Sequence, residues 1–139
     1  MTIKLTSEEM RYIALFEGIT GARVHDCVIE DGGKGVIFVV KKGDIGLAIG
    51  RGGSKIRRAK RVIGKSISVV EYFDELADFL KNILSPVKIK NVNLAEKDGK
   101  KIAVVTIDKT EGGRVSGKRI RNAKKIASRH YDVHDITLV

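Results

Sequence analysis

The sequence repeats itself with a spacing of 64 residues. The phrase Ile56-Arg-Arg-Ala-Lys60 returns as Ile120-Arg-Asn-Ala-Lys124, and superposing the two phrases without a gap also matches Val69 with Val133. Self-similarity at a fixed period indicates that one structural unit occurs more than once. Because the chain has 139 residues, two copies of about 64–70 residues account for nearly all of it.

Hydrophobic periodicity in the first copy predicts the element order α-β-β-α-α-β. Residues 22–29 and 35–41 read as two strands because residues 30–34, Glu-Asp-Gly-Gly-Lys, form a turn signal between them. The predicted elements are a helix with Thr6 or Ser7 as its N-cap, strands at 22–29 and 35–41, helices at 44–49 and 54–63, and a strand at 66–71.

The second copy predicts the same order, so the chain is assigned to the α/β (α+β) class. Its predicted elements are a helix at 73–84, strands at 87–94 and 102–107, a short helix at 109–113, a helix at 117–128 and a strand at 131–138. Almost no linker separates the last strand of the first copy from the first helix of the second. The sequence therefore predicts two domains, at residues 1–72 and 73–139.

Positive charge is strongly concentrated at the equivalent place in both copies. The chain has 27 Lys and Arg against 17 Asp and Glu, a net charge of +10, which indicates a polyanionic partner. Residues 51–65 contain seven Lys or Arg and no acid, and residues 114–129 contain seven more with no acid. A surface made only for solubility would mix the two signs, so we interpret these segments as binding surfaces.

Three glycines and an arginine, Gly50-Arg-Gly-Gly53, precede the first basic helix. A simple helix–helix turn explains one glycine but not three around an arginine. A mononucleotide phosphate-binding loop is excluded, because its nearest match, residues 59–66, lacks the first glycine and runs from helix into strand. A helix-turn-helix fits the local pattern, but the surrounding strands and the repeated α/β unit count against it.

The element order, the glycine loop and the basic helix resemble a KH domain of type II, in which a G-x-x-G loop joins two short helices and clamps a single-stranded backbone. This resemblance implies two tandem type II KH domains, each with helices packed on one face of a three-stranded mixed sheet. Two such domains in succession are similar to the archaeal NusA-like transcription factors. That family implies single-stranded RNA binding in transcription elongation or termination, with RNA polymerase as a further partner.

The resemblance also implies which residues contact RNA. Glycine lets phosphates approach the backbone N–H groups, and the positive N-terminus of the following helix attracts them. In the second copy only the last glycine of the loop at 114–117 survives, so we expect the first copy to be the stronger site. The predicted contacts are Ile45, Ile49, Gly50, Arg51, Gly52, Gly53, Lys55, Arg57, Arg58 and Arg61, and in the second copy Arg114, Ser116, Gly117, Lys118 and Arg121.

Other function classes find little support in the sequence. The histidines, His25, His130 and His134, and the single Cys27 do not follow metal-ligand spacing, and no catalytic constellation is present. We therefore expect no enzyme activity, no metal and no cofactor. The apolar runs are too short to span a membrane, and we expect a cytoplasmic protein. A ribosome-associated or ribosome-assembly KH protein and a DNA-binding regulator remain alternatives.

Overall fold

The computed structural model describes residues 5–108 and 115–139. Backbone contacts divide the chain into two compact units, of which one ends at Phe73 and the other begins at Asp74. Both are mixed α/β units with a three-stranded sheet.

The first unit contains six regular elements and one short turn of 3₁₀ helix. In its sheet the strand order is β1-β2-β3, with β1 antiparallel and β3 parallel to β2. The predicted bounds of α3 and β3 agree with the structure, and β1 begins two residues later than predicted. The elements are α1 (Ser7–Thr20), β1 (Val24–Ile29), β2 (Gly35–Val40), α2 (Ile45–Ile49), α3 (Ser54–Ile63) and β3 (Ser66–Glu71).

The start of α1 is determined by a capping box. The Thr6 side-chain oxygen accepts a hydrogen bond from the Glu9 backbone N–H at 3.1 Å, and the Glu9 carboxylate accepts one from the Thr6 N–H at 2.9 Å. These two bonds satisfy N–H groups that the helix itself leaves unpaired. Of the two candidates from the sequence, Thr6 is therefore the cap.

The core of the first unit lies between β2 and the three helices. Phe38 of β2 stacks on Phe16 of α1 with ring centroids 4.1 Å apart, and Ala48 of α2 and Ala59 of α3 belong to the same buried cluster. Ile56 and Ile63 pack against this cluster from α3. The apolar residues at i, i+3 and i+7 of the basic helix therefore hold it on the core and direct its charged residues outward.

The second unit has a sheet of the same topology. The strand order is β4-β5-β6, with β4 antiparallel and β6 parallel to β5. The short helix predicted at 109–113 lies outside the described residues. The described elements are α4 (Leu76–Ile83), β4 (Ile89–Lys97), β5 (Lys100–Ile107), α5 (Gly117–His130) and β6 (Asp135–Leu138).

The sequence predicted that the two copies superpose without a gap, and this prediction is wrong. Val69 lies inside β3, paired with Phe38, whereas Val133 is a buried residue before β6. The β4–β5 hairpin is longer than β1–β2, and α5 has 14 residues against the 10 of α3. The connection from β2 to α3 (41–53) is longer than the connection from β5 to α5 (108–116). This difference in length offsets much of the extra length of the hairpin and of α5, so the two sequences can still be aligned without a gap.

Candidate nucleic-acid interface

The loop Gly50–Gly53, called here the clamp loop, joins α2 to α3 in a tight turn. The Gly50 N–H donates to the Gly46 carbonyl at 2.9 Å and ends α2, and the Gly53 N–H donates to the Gly50 carbonyl at 3.1 Å across a single 3₁₀ turn. The three glycines have φ values of 76°, 61° and 79°. All lie in the left-handed region that side chains rarely adopt, which accounts for the run of glycines.

Gly50 and Gly52 are glycines for different reasons. Gly50 has ψ 171°, a combination that is essentially restricted to glycine, and a Cβ there would lie 2.8 Å from the Lys55 backbone nitrogen. At Gly52, which has ψ 21°, a Cβ would meet no atom of residues 5–108 or 115–139 within 4 Å. Gly50 therefore shapes the loop, whereas Gly52 leaves an open approach to its backbone.

The N-terminus of α3 has no side-chain cap among the described residues. Its N-cap is Gly53, and its first turn contains no acid. Unlike α1, α3 therefore presents first-turn N–H groups and the positive end of its dipole without a carboxylate to neutralise them. The Arg57 guanidinium donates to the Gly52 carbonyl at 2.5 Å and so fixes the turn.

Besides Arg57, the clamp loop and α3 contain five further exposed cations. Within residues 5–108 and 115–139 no carboxylate forms an ion pair with any of them. Their charges are therefore available to an external anion. These residues are Arg51, Lys55, Arg58, Lys60 and Arg61.

The apolar residues of α2 beside the clamp loop differ in how far they are exposed. Ile49 is 41% exposed, so its side chain is accessible to a ligand. Ile45 is less exposed because it packs against the buried core cluster. Leu47, which is not among the predicted contacts, is 52% exposed. Its signal is helical: once Ala48 faces the core, its neighbour Leu47 points about 100° away from it.

The equivalent region of the second unit has a different helix start. Gly117 lies inside α5, and the N-cap is Ser116, whose hydroxyl oxygen accepts from the Arg119 N–H at 3.2 Å. The Arg119 guanidinium donates to the Ser85 carbonyl at 2.7 Å, and Lys124 pairs with Asp135 at 3.0 Å. This helix therefore caps its own N-terminus and uses part of its charge internally.

The other predicted contacts of the second unit divide into two groups. Lys118 and Arg121 are exposed in the first turns of α5. Arg114 lies outside the described residues.

Two further observations concern metals and membranes. Among the residues with described positions, no three His, Cys, Asp or Glu side chains are grouped so that they could hold a metal ion. The same residues include no helix with the length and apolar character that crossing a membrane would need.

The glycine loop between two short helices on a mixed sheet is the arrangement of a KH domain, a module for single-stranded nucleic acid. The KH domain model matches residues 10–98 of the chain. The sequence is 37% identical to a protein of Methanococcus vannielii named probable transcription termination protein NusA, over 100% of this chain and 81% of that protein. It is 36% identical to a protein of the same name from Halobacterium salinarum, over 99% of both.

A solved structure is similar over almost the whole chain. The crystal structure of APE1850 has a TM-score of 0.87 and 34% identity, and it covers 97% of this chain and 100% of that chain. With the KH match and the relatives, this shows that the chain belongs to the archaeal NusA-like proteins of the KH family.

Proposed function

We propose that this protein binds single-stranded RNA and acts in transcription elongation or termination, with the clamp loop as its principal contact. The observation that carries the proposal is the open backbone at Gly52, next to an uncapped helix N-terminus and a group of unpaired cations. The printed name of the relatives, probable transcription termination protein NusA, supports the role in transcription.

In this mechanism the RNA backbone passes over Gly52. A phosphate there meets backbone N–H groups and the positive end of α3, and Arg51 and Lys55 pair with the phosphates on either side. The bases turn toward Leu47 and Ile49, whose exposed apolar surfaces they cover. A groove of this kind holds about four nucleotides, and the scarcity of aromatic residues favours contacts with base edges over stacking.

We propose that both units are type II KH domains, at residues 1–72 and 73–139. The shared sheet topology supports this assignment. In the second domain Lys118 and Arg121 are the proposed RNA contacts, together with Arg114, Ser116 and Gly117 of the degenerate loop at 114–117. Because Ser116 already caps α5, we expect this site to be the weaker of the two.

The proposal includes a place of action and a partner. We expect the protein to work in the cytoplasm beside RNA polymerase, without catalytic turnover and without a cofactor. Co-purification distinguishes this role from the ribosomal alternative: recovery of polymerase subunits supports it, whereas recovery of ribosomal subunits alone contradicts it.

The sharpest test is a pair of substitutions at Gly52. Gly52→Asp places a carboxylate where the phosphate approaches and should weaken single-stranded RNA binding by about 10- to 100-fold. Gly52→Asn adds nearly the same volume without charge, and Asn tolerates a positive φ, so its loss should be clearly smaller. Fluorescence anisotropy with labelled RNA measures both, and thermal unfolding checks that both variants stay folded.

Two results would count against the proposal. The first is equal RNA affinity of Gly52→Asp and the wild type, because the clamp loop would then not be the contact. The second is displacement of single-stranded RNA by duplex DNA at equal nucleotide concentration and salt, which would favour a DNA-binding regulator instead.

A further inference from the structure

A second group of cations lies at the opposite end of α2 from the clamp loop. It surrounds a cavity of about 540 Å³ that is lined by Glu17, Arg23, Val24, His25 and Lys41. This cavity, called here the α1–β1 pocket, lies where α1 ends, β1 begins and β2 ends. All of its lining residues belong to the first unit.

The carboxylates near the pocket are engaged with backbone rather than with the cations. Glu17 accepts from the Val24 N–H at 2.9 Å, and Asp44 accepts from the Arg23 N–H at 2.9 Å. Arg23 and Lys41 are exposed, and neither forms an ion pair within the part of the chain that the structure describes. The pocket therefore presents two cations whose charge the nearest acids do not take up.

An aromatic surface adjoins these cations because of an irregularity in β1. The register with β2 shifts between Val24 and Asp26, so His25 is the extra residue of a β-bulge. Bulges redirect a side chain and are frequent beside functional sites. The exposed His25 ring lies against Tyr72 with centroids 4.7 Å apart.

The sheet does not require the charge of Lys41. The Lys41 N–H donates to the Arg23 carbonyl at 2.8 Å, and in the second unit the Asp108 N–H donates to the Lys88 carbonyl at 2.9 Å. The donor of this backbone hydrogen bond is therefore Lys41 in the first unit and an acidic residue, Asp108, in the second. A lysine at position 41 is therefore not needed to form the sheet.

We propose that the α1–β1 pocket binds one nucleotide of the RNA strand that continues from the clamp loop. Arg23 and Lys41 hold its phosphate, the base lies on the outer face of His25, and Glu17 accepts a hydrogen bond from a base amino group. The helix α2, which separates the two places, has five residues and so spans about 7.5 Å. This inference rests on the proposed RNA-binding function.

The test compares two double variants that each remove two positive charges. Arg23→Gln with Lys41→Gln changes the pocket, and Lys97→Gln with Lys100→Gln changes two exposed lysines that face each other at the tip of the β4–β5 hairpin. The affinity of each double variant is measured for two RNA strands. The short strand has about four nucleotides, the number that one groove holds, and the long strand is about three times as long. Anisotropy gives the affinities over a series of salt concentrations.

On the long strand we expect the pocket variant to bind about tenfold more weakly than the hairpin variant. Its slope of log affinity against log salt should be smaller by about 0.7 for each lost phosphate contact. On the short strand, which the groove beside the clamp loop holds, the difference between the two variants should be smaller. Arg23→Lys with Lys41→Arg, which keeps both charges, should restore long-strand binding.

The outcomes separate this inference from the proposed function. Equal long-strand affinity of the pocket and hairpin variants overturns the α1–β1 pocket while the clamp loop stands. Failure of the wild-type protein to bind either strand overturns the proposed function, and the inference with it. Thermal unfolding of each variant ensures that an unfolded protein is not read as a loss of contact.

Discussion

At the scale of single residues, neighbouring glycines of the clamp loop do unlike work. Gly50 has a backbone conformation that excludes other residues, and Lys55 fills the space that its side chain would need. Gly52 is limited only by its positive φ and faces open space. Glycine is thus required by the backbone conformation at position 50, whereas at position 52 it leaves the backbone open.

Replacement of Gly50 by alanine should therefore reduce stability rather than only binding. We expect Gly50→Ala to lower the free energy of unfolding by about 1–3 kcal/mol, the usual cost of a sparsely populated backbone conformation. Gly52→Asn is the matched control and should cost less, because Asn accepts the left-handed region. Urea unfolding of both variants measures the difference, and a larger loss at Gly52 would contradict this division of roles.

At the scale of helices and strands, α3 and α5 carry similar charge but use it differently. The described cations at the start of α3 have no acidic partner, whereas α5 is tied to its own unit through Arg119 and Lys124. The Lys124 ammonium, and next the Ile136 backbone N–H, hold the pKa of Asp135 below its ordinary value. The pair of Lys124 and Asp135 therefore links α5 to β6.

Removing this ammonium should raise the pKa of Asp135. In Lys124→Met we expect the pKa to move back toward that of a free aspartate, with the Ile136 N–H keeping part of the shift. NMR titration of the side-chain carboxyl measures it. Lys101→Met is the control, because the Lys101 ammonium lies 3.8 Å from a different carboxylate, that of Asp132. This variant should leave the pKa of Asp135 unchanged.

The same pair has a defined pH dependence. Because the pKa of Asp135 is lower in the folded chain than in the unfolded chain, its carboxylate stabilises the fold above the unfolded pKa. That contribution is lost as the pH falls through the folded pKa. The difference in unfolding free energy between wild type and Lys124→Met should therefore shrink in acid; a difference that grows there would refute the assignment.

At the scale of the whole molecule, 14 of the 27 Lys and Arg residues lie in two segments, at residues 51–65 and 114–129. Both basic segments contribute to the net charge of +10 and to long-range attraction of a polyanion. The first segment adjoins an open glycine loop and an uncapped helix start, whereas in the described part of the second segment Ser116 caps α5. General attraction should therefore come from both units, and close contact mainly from the first.

Paired charge removals test this division. Lys55→Gln with Arg58→Gln in α3 should weaken RNA binding more than Lys118→Gln with Arg121→Gln in α5, with all four side chains exposed. If both α3 cations contact phosphates, the salt slope should fall by about 1.4. Gly117→Asp should likewise cost less than Gly52→Asp. Equal losses in the two helices would show that the second unit binds as closely as the first.

Much of the local structure was predictable from the sequence. The bounds of α3 and β3, the capped start of α1 and the glycine loop follow from helical and strand periodicity and from capping residues, which act over a few positions. The concentration of basic residues is likewise visible without a structure. These features depend on neighbours in the chain, so a linear pattern contains them.

The remaining features depend on residues far apart in the sequence, and only the tertiary structure decided them. The Arg119 guanidinium bonds the Ser85 carbonyl 34 positions away, so the sequence could not show that this charge is engaged. The extra lengths of the β4–β5 hairpin and of α5 are largely offset by the shorter connection between β5 and α5. The repeat therefore appeared free of gaps in the sequence. The α1–β1 pocket likewise exists only because the sheet brings Arg23 and Lys41 together at one edge.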